Sequence, residues 1–86
     1  MHKEEITLIV SNYIKKNFLF DEKKEVDNDI SLYQSGIIDS MGTIELISFL
    51  ENTYKIRFDD DELIAENFDS INAISNFLYN KLQNIK

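Results

Sequence analysis

The chain has 86 residues, enough for one modest core and too few for a second, and its 43% hydrophobic content with four Tyr and six Phe is that of a globular domain. The absence of Cys excludes disulfides and a thiolate metal site, so any reactive thiol must arrive on a cofactor; the absence of Pro and the presence of only two Gly argue for helices over a turn-rich all-β fold. Sixteen acidic against nine basic residues give a net charge of −7, which argues against a nucleic-acid partner.

The charged N-terminal Met1-His2-Lys3-Glu4-Glu5 lacks the apolar core of a signal peptide, and no apolar run approaches the length of a membrane span. A cytosolic protein is expected on that ground. The first predicted helix runs from about 3 to 18, with Ile6, Ile9, Val10, Tyr13 and Ile14 at three-four spacing and Lys15, Lys16 and Asn17 breaking the pattern. Periodicity is then lost. Asp21-Glu22-Lys23-Lys24-Glu25 reads as a solvated charge run and Asp27-Asn28-Asp29 as a turn. A connection this long needs anchors, and Ile30, Leu32, Tyr33 and Ile37 are the candidates.

The second helix is expected over 40–54, with Asp39 as its N-cap. At about 100° per residue, Leu46, Ile47, Leu50 and Tyr54 share one side with Thr43 and read as core. Met41 and Ile44 fall on the other side, beside Glu45, Ser48 and Glu51, and read as an apolar patch facing water. Asp59-Asp60-Asp61-Glu62 is expected to cap a short third helix over 61–66. The last helix, 70–82, begins at a cap on Asp69 or Ser70 and turns Ile71, Ile74, Leu78 and Leu82 inward. With Asp69 as cap, Phe68 and Ala73 form a hydrophobic staple. The whole of 1–86 is thus expected to be a single all-α domain, a four-helix bundle with a long first connection and a short third helix.

Within Gly36-Ile37-Ile38-Asp39-Ser40-Met41-Gly42-Thr43 a turn glycine and an Asp-Ser pair open the second helix. That puts the Ser40 hydroxyl at a helix N-terminus, where free N–H groups and the positive end of the dipole favour an anionic substituent. Nothing nearby in sequence can serve as its base, so Ser40 suits carrying a phosphate rather than catalysis. A serine triad is excluded on the same grounds, the single histidine being His2. A calcium loop starting at Asp27 is excluded because its glycine position holds Leu32 and its last acidic position holds Ile38. The segment 21–40 carries −4, which either steers basic partners towards Ser40 or simply keeps the domain soluble.

This stretch resembles the attachment site of the phosphopantetheine-binding carrier proteins, the acyl, aminoacyl and peptidyl carriers, whose modified serine follows Asp and precedes Leu or Met. The resemblance continues through Leu32-Tyr33-Gln34-Ser35-Gly36 before it, Thr43-Ile44-Glu45-Leu46-Ile47 and Ile56-Arg57-Phe58-Asp59-Asp60-Asp61-Glu62-Leu63 after it, and Glu66-Asn67-Phe68-Asp69-Ser70-Ile71. It implies 4'-phosphopantetheine from coenzyme A joined to Ser40, a carrier that is not an enzyme, and a load held as a thioester. The implied partners are a phosphopantetheinyl transferase, an acyl- or aminoacyl-adenylating ligase and downstream acyl-processing enzymes, meeting a monomer. Asp39, Met41, Ile44, Glu45, Ser48 and Glu51 would form the partner surface. Residues 32–43 are similar to D-alanyl and other aminoacyl carriers, whereas Asn67-Phe68-Asp69-Ser70-Ile71 is similar to acyl carriers at large and no Trp of the D-alanyl carriers is present. The load therefore stays open between an acyl or aminoacyl group of a specialised pathway and D-alanine for the cell wall. A helical interaction module that is never modified is the reading from another class.

Overall fold

Ile6, Val10 and Ile14 recur every four residues, and all three are fully buried along α1, Lys3–Phe18, in the computed structural model, which describes residues 2–18 and 27–84. The Asp21–Glu25 charge run lies outside the described residues. Glu4 and Glu5 in the first turn of α1 and Lys15 and Lys16 in its last complement the helix dipole. Ile9 and Tyr13, the other two residues of that apolar spacing, are half-buried. Tyr13 stacks on Phe49, ring centroids 4.1 Å apart, and closes the flank between α1 and α2.

Helix α2 spans Ser40–Tyr54 and buries Leu46 and Leu50 completely, while Thr43, Ile47 and Tyr54 are half-buried. Each fully buried aliphatic side chain contributes about 1.5–3 kcal/mol. The helix ends where Lys55 turns left-handed (φ 57°) and Ile56 N–H donates to the Glu51 carbonyl.

The third helix is not the continuous 61–66 element expected. Asp60–Glu62 form a single 3₁₀ turn, Leu63 leaves the helical region, Ile64 is extended, and α3 is the one turn Ala65–Phe68. The Glu62 carbonyl, which a continuous helix would pair with a later N–H, accepts the Asn67 side-chain amide at 2.8 Å instead. Phe58, Phe68 and Phe77 pack with centroids 5.6–6.0 Å apart and fasten this segment to α4. Lys81 adds a 2.8 Å ion pair with Glu62 and lies over the Phe58 ring.

Helix α4, Ile71–Asn84, packs along α1 and against α3, with Ile71, Ile74 and Leu78 buried. Leu82, expected inward, is half-buried against the core. Its N-terminal cap is Ser70, whose Oγ accepts from Ala73 N–H at 3.0 Å, so the Phe68–Ala73 staple expected for an Asp69 cap does not apply. Asp69 has another task. Its carbonyl accepts Leu32 N–H at 2.6 Å and its Oδ1 accepts the Ser31 hydroxyl at 2.7 Å. Three residues on, Asn72 N–H donates to the Asn28 carbonyl and its side chain to Asp29 Oδ1. The described part of the first connection is thus strapped across the start of α4, with Leu32 and Ile38 as its buried anchors and Tyr33 and Ile37 packed beside them. Ile30, also expected as an anchor, is 40% exposed. The described residues form helices, turns and connections and no strand: an all-α carrier-like bundle.

Candidate functional site

Gly36 sits at φ +78°, a left-handed conformation that only glycine adopts without strain, and so turns the strap towards α2. Its N–H donates to the Tyr33 carbonyl, and Ile38 N–H to the Leu32 carbonyl, which brings Asp39 to the head of the helix. Asp39 is extended (φ −114°, ψ −173°), and its Oδ1 accepts Gly42 N–H at 2.7 Å, as an N-cap does. Ser40 is the first residue of α2 and is exposed. No acidic residue stands in that first turn, so beyond the cap the positive end of the dipole is not neutralised within the helix. The arrangement suits a phosphodiester on Ser40: an open hydroxyl at a helix N-terminus, with the neighbouring Asp39 carboxylate engaged at Gly42 N–H.

Met41 is 74% and Ile44 65% exposed, and Glu45 and Ser48 are exposed beside them. Three residues apart on one helix face, Met41 and Ile44 make a small exposed apolar patch next to Ser40. Glu45 borders Tyr13 of α1; burial first, and the Glu45 charge second, push the Tyr13 hydroxyl's pKa up. Glu51 departs from the expected partner surface. It is half-buried, and its Oε2 accepts Phe58 N–H at 2.9 Å, tying the connection after α2 back onto the helix.

Two features escaped the sequence reading. Gly42 is buried, and a Cβ there would stand 2.8 Å from Ile38 Cγ1 and 2.9 Å from Phe18 Cε1. Its lack of a side chain lets α2 begin against the end of α1, and an open groove of about 280 Å³ remains beside the turn, between Phe18, Ile37 and Met41. Leu63 and Ile64, expected within the third helix, are 39% and 46% exposed on the non-helical link before α3. Among the described residues no three metal-ligating side chains converge, and no helix is long and apolar enough to cross a membrane.

A family profile described as "Phosphopantetheine attachment site" matches residues 18–78. Similar proteins include the D-alanyl carrier protein of Streptococcus sanguinis (strain SK36), 37% identical over 65 residues that make up 76% of this chain and 80% of that one. The D-alanyl carrier proteins of Streptococcus suis (strain 05ZYH33), 35% identical over the same shares, and Streptococcus uberis (strain ATCC BAA-854 / 0140J), 38% identical over 65% of this chain and 71% of that one, are further examples. The chain therefore belongs to the phosphopantetheine-binding carrier proteins, non-catalytic carriers of a covalently attached 4'-phosphopantetheine.

Proposed function

We propose that Ser40 is the attachment point and that the carrier is loaded with an amino acid through its carboxyl group, D-alanine being the first candidate. The observation that carries the site is the exposed hydroxyl at the first position of α2, flanked by the exposed Met41 and Ile44. The arm supplies a terminal thiol, which this Cys-free chain lacks, and the load is held there as a thioester. The Asp39 carboxylate is engaged at Gly42, so the proton of the Ser40 hydroxyl is left to the transferase. Met41, Ile44, Glu45 and Ser48 form the surface that the transferase, an adenylating ligase and an acceptor enzyme read in turn. Its acidic rim speeds encounter with basic partners more than it tightens binding. Loading consumes coenzyme A and ATP, both present in the cytoplasm, and is assigned to that compartment as part of the same proposal.

The names of the similar proteins support the D-alanyl load. A general acyl load is the second reading, favoured by Asn67-Phe68-Asp69-Ser70-Ile71, which resembles acyl carriers at large. Incubation with coenzyme A and a broad-specificity transferase should raise the intact mass by one phosphopantetheine, and Ser40→Ala should abolish the gain with stability unchanged within about 0.5 kcal/mol. A folded wild-type protein that gains no mass would leave only an unmodified interaction module. Loading the modified protein with cognate ligase, ATP and a panel of D-alanine, L-alanine and fatty acids then decides the cargo.

A further inference from the structure

We propose that Tyr33 is a positioning residue for the modification of Ser40, acting through Thr43 on the peptide plane that carries the Ser40 N–H. This rests on Ser40 being the attachment point. The Tyr33 hydroxyl lies 2.7 Å from Thr43 Oγ1, and Thr43 Oγ1 in turn donates to the Asp39 carbonyl at 2.9 Å. A threonine hydroxyl has one proton. With that proton spent on Asp39, Thr43 Oγ1 can only accept from Tyr33, so the direction of the chain is fixed: Tyr33 to Thr43 to the Asp39 carbonyl.

That carbonyl also accepts Thr43 N–H at 2.9 Å, which fills both of its acceptor positions. The Asp39 C=O and the Ser40 N–H belong to one rigid peptide plane and point to opposite sides. Holding the carbonyl from within α2 therefore aims the Ser40 N–H outward, towards the space where a phosphate on its own hydroxyl must lie. The Asp39 side chain, bonded to Gly42 N–H, holds the same residue from a second direction.

Tyr33 is well placed to serve as the fixed end. It is half-buried against the core, its carbonyl accepts Gly36 N–H, and the neighbouring Ser31 and Leu32 are bonded to Asp69 at 2.7 and 2.6 Å. The strap is thereby anchored at the start of α4, and the Tyr33 phenol adds a side-chain link from it to the attachment turn. A phenylalanine would pack in the same place and hold nothing.

The test compares wild type, Tyr33→Phe, Thr43→Val, Thr43→Ser and the Tyr33→Phe/Thr43→Val double variant in transferase kinetics, with amide NMR of the unmodified proteins. Tyr33→Phe should lower kcat about threefold to tenfold, the worth of one orienting hydrogen bond, with KM little changed because Met41 and Ile44 are untouched. Thr43→Val should match it, Thr43→Ser should restore the wild-type rate, and the double variant should be no slower than either single one. The Ser40 amide resonance should move in Tyr33→Phe while those of α4 stay put. A wild-type kcat in a folded Tyr33→Phe protein, or additive losses in the double variant, would overturn the proposal alone. A wild-type protein not modified at Ser40 would end it together with the attachment reading.

Discussion

Gly42 stands where two opposing preferences meet. Helix propensity favours Ala over Gly by about 1 kcal/mol, whereas forcing a methyl group into a filled contact costs about 1–3 kcal/mol. Ile38 is buried and cannot swing away, and its Cγ1 would be 2.8 Å from the new carbon. The clash should prevail, so Gly42→Ala is expected to lower stability by up to about 2 kcal/mol in urea melts and to slow transferase modification by displacing the turn that carries Ser40. A variant as stable as the parent would mean that the contact relaxes freely. Ser40 and Asp39 were legible in the sequence because capping is local chemistry: the capping carboxylate and the N–H it accepts lie within one turn. The demand on Gly42 was not legible, because it is imposed by side-chain packing, by Ile38 on the strap and by Phe18 at the far end of another helix.

Among the elements, α2 was readable because one helix presents two faces with different burdens. Leu46 and Leu50 are fully buried while Met41 and Ile44 stand out, a contrast that 100° steps already place on opposite sides. Met41→Ala and Ile44→Ala should therefore change unfolding free energy by less than about 1 kcal/mol, while slowing modification or ligase loading. Loss of stability with unimpaired loading would return both residues to the core. The third helix was misread because an acidic capping signal serves a 3₁₀ turn as well as it serves a longer helix. What stops the helix, Asn67 at the Glu62 carbonyl, depends on side-chain geometry that periodicity does not encode. Glu62 also carries a pH dependence. Its hydrogen bonds to Lys81 first, and to Asp59 N–H second, lower its pKa against the opposing effect of burial. A carboxylate with a lowered folded pKa stabilises the fold above its unfolded pKa and loses that contribution as pH falls through the folded value. Melting temperature should thus fall on acidification more steeply in the wild type than in Glu62→Gln, and parallel curves would remove Glu62 as a cause.

At the scale of the molecule, the class of the fold was visible in the amphipathic patterns of α1, α2 and α4, while the links that arrange them were not. Asp69 has the composition of a helix cap, yet it holds Ser31 and Leu32 and leaves capping to Ser70. The preference for one of two adjacent capping residues is settled by a strap arriving from far away in the chain. Leu32, the strap's deepest residue, is fully buried, so Leu32→Ala should cost about 2–5 kcal/mol in a urea melt. A loss below about 1 kcal/mol would show the strap to be a passive cover.

The packing of α1 along α4 has a consequence for timing. A ribosome makes α1, the strap and α2 before the helix that buries the α1 stripe exists, so Ile6, Val10 and Ile14 wait for Ile71, Ile74 and Leu78. The strap that leads to Ser40 is synthesised early but is held by Asp69, which arrives only with the start of α4. With Ser40 as the proposed attachment point, a chain is expected to accept an arm only once its last helix has docked, so that the completed bundle would select which chains receive one.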